Sequence, residues 1–174
     1  MSAVQRTAQR GLQVEQINLT AVHASITPEH GVVLVELLER VIAQGEKFHP
    51  AYIAWQCASV NQKMLRYVEE VIGYRPILTV GHVSYEGKVI VGGGSEDLYT
   101  MSRTGGYHVW MTLPWMEIID FTLTVSIAVL KQSPMESISP LAGTPRLLHP
   151  FSWQPLYVGA AATSILLSSE GIIN

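Results

Sequence analysis

The sequence predicts an α+β domain in which helices come first and an antiparallel sheet follows. Three observations carry this expectation. Apolar residues recur at helical spacing through Val60, Met64, Leu65, Val68, Val71 and Ile72, the stripe of a helix with one buried face. From Pro76 onward β-branched and aromatic residues gather in short runs, and Glu86-Gly87 places a turn signal between two of them. The two patterns are segregated along the chain and do not alternate, which separates α+β from α/β.

Taken in order, residues 1–29 are polar and weakly patterned and are expected as a strand or an arm across the domain. His30 to Gln44 predicts a helix with a wide apolar face that includes Val33, Leu37, Leu38 and Val41, and Gly45 can end it. After Pro50 a second helix starts at or near Cys57; Lys63, Arg66, Glu69 and Glu70 point away from its apolar stripe and Gly73 supplies the stop. Pro76–Tyr85 and Lys88–Val91 read as the strands of a hairpin. The glycine-rich stretch Gly92–Gly106 lacks the Gly-Lys-Ser/Thr ending of a phosphate loop and is expected to be a mobile connection or a lid. Tyr107–Leu113 and Met116–Leu123 read as two further strands around Pro114. The prolines at 134, 140, 145, 150 and 155 predict an irregular segment, 131–174, that wraps the 30–130 core and ends in a short helix. The 174 residues suit one domain with a real core.

Composition narrows the function. Apolar residues make up 48% and charged residues 14% of the chain, with a formal net charge of −3. So little charge leaves room for a homodimer or a partner protein to cover surface. The basic residues form no stripe that could neutralise a phosphate backbone, so nucleic acid is not an expected partner. No apolar run reaches the roughly 18 residues of a membrane helix, and Met1-Ser-Ala-Val-Gln-Arg lacks the layout of a secretory signal. A soluble protein follows, cytoplasmic or secreted without a cleavable signal peptide.

Cys57 is the single cysteine, so it forms no intramolecular disulfide, and one thiolate among scattered histidines makes a poor zinc site. It is either an inert core residue or a nucleophile. A helix start would favour the thiolate and offer amides to an oxyanion. A working thiolate also needs an imidazole base held by a third group. His108 and Asp120 are each six residues from Pro114. A hairpin turning symmetrically there sets them opposite one another on one face, within reach of a hydrogen bond. Asp120 stands in Met-Glu-Ile-Ile-Asp-Phe-Thr-Leu, and a carboxylate buried among such neighbours requires a partner. A structural His–Asp pair with no chemistry satisfies the same requirement. His82 and His108 lack a third ligand at metal spacing, so no metal or other cofactor is expected.

Gly106-Tyr-His108-Val-Trp-Met-Thr-Leu followed by Glu117-Ile-Ile-Asp120-Phe-Thr122 resembles the His-Ala-Trp … Asp-Pro-Thr signature of the transglutaminase-like (papain-like) cysteine enzymes. Gly81-His-Val83 is similar to the Gly-Tyr-Val often found on that family's first strand. The resemblance covers about residues 50–124 and implies a cysteine-bearing helix packed on an antiparallel sheet. It implies a Cys57–His108–Asp120 triad and a thioester intermediate on a protein or peptide substrate, as in a protease, a glutamine deamidase or amidase, or a transglutaminase, including a bacterial effector. Family members usually carry glycine before the cysteine. This chain has Trp55-Gln56, so either side chain is a candidate oxyanion donor, while His82 and Trp110 are candidate pocket residues. Two other readings stay open: an acyltransferase using a thioester donor and an amine acceptor, and a non-catalytic binding domain on the same fold.

Overall fold

The computed structural model describes residues 1–14, 24–43, 53–54, 56–131 and 139–170. Helices α1 (Ala3–Gln9), α2 (Pro28–Ala43) and α3 (Cys57–Ile72) precede the strands β1 (Ile77–Tyr85) and β2 (Lys88–Val91). Then follow α4 (Leu98–Thr104), β3 (His108–Thr112), β4 (Ile118–Asp120), α5 (Leu123–Lys131), β5 (Leu141–Gly143), β6 (Phe151–Val158) and α6 (Ala160–Glu170). The α+β class expected from the sequence is what forms. None of the described helices is long and apolar enough to cross a membrane.

The second predicted helix matches closely. Val60, Met64, Leu65, Val68 and Ile72 of α3 are buried, and Gly73 closes the helix in a left-handed conformation (φ 77°) with its N–H on the Glu69 carbonyl, as a glycine stop does. The α2 helix begins two residues before its predicted start and buries Leu34 and Leu38; its predicted stop at Gly45 lies outside the described residues. The Glu86-Gly87 turn joins β1 to β2 with both residues at positive φ (49° and 77°), the requirement of a tight hairpin.

Three expectations are corrected. The start of the chain, expected as a strand or arm, contains α1. Its signal is Ser2-Ala-Val-Gln5, a capping box in which each side chain meets the other's backbone N–H. The Gly92–Gly106 stretch, expected as a mobile connection or lid, carries α4, capped by Asp97 through the Thr100 N–H at 2.9 Å and ended by Gly105. The 131–174 segment, expected as an irregular wrap, contributes β5 and β6 before its terminal helix. Pro155 hid β6. It sits where the β1–β6 register shifts, between Val80↔Tyr157 and Gly81↔Pro155, and an irregularity in the ladder tolerates the missing N–H.

The sheet is antiparallel, in the order β2-β1-β3-β4-β5, and β6 also pairs with β1. Paired residues share a face, so the registers assign sides. Leu78, Val80, Val109, Met111, Ile119 and Tyr157 face α3 and form the main core with Met64 and Val68. The other face carries Thr79, Gly81, His108, Trp110, Asp120 and Trp153. Gly81 admits nothing larger: an added Cβ would stand 2.0 Å from the Gln154 carbonyl oxygen and 2.9 Å from the Trp110 ring. The indole therefore lies directly against β1.

Candidate active site

Cys57 is the first residue of α3. The helix closes its first hydrogen bond from the Val60 N–H to the Gln56 carbonyl at 2.9 Å, leaving the cysteine in the first turn, where the helix dipole favours negative charge. A buried amide fastens this turn to the sheet. The Asn61 side chain donates to the Cys57 carbonyl at 2.8 Å and to the Val109 carbonyl at 2.9 Å. Val109 follows His108, so the thiol-bearing turn and the histidine are held by adjacent backbone units.

Cys57 and His108 line one cleft of about 250 Å³. Gly92 and Tyr107 form part of its wall, and Ser126 and Leu130 of α5 another. The Ser126 hydroxyl donates to the Ala54 and Thr122 carbonyls at 3.0 and 2.8 Å, which ties α5 to the residues before α3.

His108 is 1% exposed and Asp120 0%, so each depends on protein groups for its hydrogen bonds. Nε2 of His108 lies 2.8 Å from Asp120 Oδ2, and the Trp153 indole N–H donates to the same oxygen at 3.0 Å. Oδ1 accepts from the backbone N–H groups of Thr122 and Leu123 at 3.1 and 3.0 Å, with the Thr122 hydroxyl at 3.4 Å. An ionised carboxylate only accepts, so His108 carries its proton on Nε2 toward the aspartate. Burial pushes the Asp120 carboxyl upward. The charge of His108 and the hydrogen bonds from His108, Trp153 and Thr122 outweigh this and hold it below the usual carboxylate range.

The expected His–Asp pair forms, by a different register. Three residues, Pro114-Trp115-Met116, make the turn, with Met116 left-handed (φ 70°) and the Leu113 N–H bonded to the Glu117 carbonyl at 2.8 Å. The pairs Met111↔Ile119 and Thr112↔Ile118 centre the hairpin on Trp115. Asp120 therefore comes alongside Trp110, and His108 is its diagonal neighbour. A shift of two residues preserves the face, whereas a shift of one would have separated them. The strand expected over Met116–Leu123 stops at Asp120, because the carboxylate binds the Thr122 and Leu123 amides and turns the chain into α5.

The other candidates fall elsewhere. Trp110 is not a wall of the Cys57 cleft. Its ring lies nearly parallel to His108 (24° between planes, centroids 6.3 Å apart) and lines a separate cavity on the same face of the sheet. His82 sits on the opposite face from His108, behind Gly92, where an added Cβ would come 2.8 Å from its ring. Its buried Nε2 has no hydrogen-bond partner among the described residues. Gln56 precedes α3 without a side-chain capping bond and does not line the cleft. Trp55 lies outside the described residues.

Sequence reading missed Trp153 and Asn61. Trp153 falls in the proline-rich segment, where no strand pattern is visible. The one signal for Asn61 is its apolar setting, Ala58 to Leu65, in which a buried amide must find partners. No family model, no curated protein and no solved structure matches this chain.

Proposed function

We propose that this chain is a thiol-dependent hydrolase or transferase in which Cys57 attacks an amide or peptide carbonyl, His108 is the acid and base, and Asp120 orients the imidazole. One observation supports the reading above others: Cys57 and His108 wall the same cleft, while Asp120 holds Nε2 of that histidine. Fixing the Nε2 proton leaves Nδ1 as the basic nitrogen. In the proposed reaction Nδ1 takes the thiol proton, and the imidazolium is balanced by Asp120. The thiolate sulfur bonds to the carbonyl carbon, whose oxygen takes up the charge. The C–N bond then breaks as His108 returns its proton to the leaving amine or ammonia, giving a thioester. Water or an amine releases the acyl group. This reading places the chain with the transglutaminase-like, papain-like enzymes that its His108 and Asp120 blocks resemble, acting on a protein or peptide as a protease or a glutamine deamidase.

The test is alkylation of Cys57 by iodoacetamide across pH, read by intact mass, in the wild type and in His108→Ala. Rapid labelling below pH 7 that the substitution removes supports the ion pair. Labelling that rises only near the ordinary thiol pKa of about 8.5 in both proteins overturns the reading, and the chain is then a binding domain.

A further inference from the structure

We propose that a second cavity, on the sheet face that bears Trp110 and Trp153, binds a small neutral aromatic molecule about the size of two fused rings. Its volume is about 300 Å³, roughly twice the ~150 Å³ apolar cavity that takes up benzene. The two indoles share its wall with Pro114, Pro145 and Pro155. Such rigid rings present apolar surface to a flat guest with little rotamer entropy to lose.

The polar chemistry of the cavity selects against charge. Among the described residues, none that lines it is Asp, Glu, Lys, Arg or His. Several of the hydrogen-bonding side chains that line it are already engaged. The Trp153 N–H is given to Asp120, the hydroxyls of Thr79 and Thr112 bond each other at 2.9 Å, and the Ser2 hydroxyl caps α1. Water there finds few partners and a charged guest finds no counter-charge. The threonine pair keeps unused lone pairs, so one O–H or N–H on the guest can be received and a phenolic group fits. The guest would rest on the two rings that touch the dyad, Trp153 through its bond to Asp120 and Trp110 through its stacking on His108. None of this depends on Cys57 being a nucleophile.

Calorimetric titration of the full chain with 2-naphthol and with 2-naphthoate at neutral pH tests the proposal, since the two share a ring system and differ in charge. Saturable one-to-one binding of 2-naphthol, with 2-naphthoate weaker by about tenfold or more, is the expected result. Ile77→Trp, which places a ring inside the cavity, should weaken 2-naphthol by about tenfold or more. Met116 lines the same cavity and is 63% exposed, so Met116→Lys leaves the core intact. It should narrow the preference for 2-naphthol over 2-naphthoate by about threefold or more. Absence of saturable heat from 2-naphthol, or equal affinity for both compounds, overturns the proposal. So does undiminished 2-naphthol binding in a folded Ile77→Trp protein. Should that variant fail to fold, an unchanged preference in Met116→Lys is the overturning result.

Discussion

Asp120→Asn is nearly isosteric, yet it should be among the most damaging substitutions in the protein. The carboxylate receives His108 and Trp153 on one oxygen and Thr122 and Leu123 on the other, and an amide can satisfy only one of these sides. Turned with its oxygen toward Thr122 and Leu123, it presents an NH2 group to His108 and Trp153. His108 can then accept only by moving its proton to Nδ1, while the buried indole N–H loses its acceptor. A hydrogen bond to a charged group is worth about 1.5–3 kcal/mol, and removing one member of a buried charge pair costs about 3–5 kcal/mol. A loss of about 3–5 kcal/mol is therefore expected. With a urea m value near 2 kcal/mol/M, the unfolding midpoint falls by about 2 M. The tautomer change also removes the base from the cleft, so low-pH labelling of Cys57 should disappear. In a Trp153→Phe background the indole N–H is already gone, and Asp120→Asn should cost less by about 1–2 kcal/mol. Equilibrium unfolding of the four proteins of this cycle measures both quantities. Stability within about 1 kcal/mol of wild type for Asp120→Asn, or an unchanged cost in the Trp153→Phe background, refutes the donor arrangement.

Asp120 titrates below its ordinary value in the folded chain, so the unfolded chain binds the extra proton first as pH falls. Its contribution to stability should be full above about pH 4 and lost as pH drops through the lower folded value; acid unfolding of Asp120→Asn should show a shallower slope there. Asn61→Ala removes two buried bonds to carbonyls and should cost about 2–3 kcal/mol, while slowing Cys57 labelling without shifting its pH midpoint. Gly81→Ala sets a Cβ 2.0 Å from a backbone oxygen and should lower the melting temperature by about 8 °C or more, or prevent folding.

The helical stripe of α3, its glycine stop and the Glu86-Gly87 hairpin were legible because each rests on local chemistry: periodicity, a left-handed glycine, a two-residue turn. The position of Cys57 in the first helical turn was legible for the same reason. What escaped was decided by distant groups. Phe151–Val158 carries a proline within a strand, and it stands where the register against β1 shifts. The Gly92–Gly106 stretch looked loose because its glycines dominate the composition, although Asp97 and Gly105 bracket a short helix. His108 and Asp120 were paired on a turn assumed to be symmetric about Pro114. The actual turn moves the centre by one residue, to Trp115, and the pairing by two. The face survived because a sheet has period two, and the contact survived because diagonal neighbours remain within reach of long side chains.

That the pair survives a register change shows what the sequence had to specify. A cross-strand hydrogen bond between His108 and Asp120 needs a common face and nothing more exact, and several turn lengths of equal parity supply it. The other oxygen of Asp120 needs an exact position, because its N–H donors must fall at the start of α5. The carboxylate thus terminates β4, starts the next helix and holds the imidazole, three demands met by one buried charge. Stability and the proposed chemistry are coupled through it: a change that relieves the cost of burying Asp120 also frees the histidine whose orientation the thiol requires. Variants at this position that flatten the acid-unfolding slope should therefore lose the low-pH reactivity of Cys57 together with stability at neutral pH.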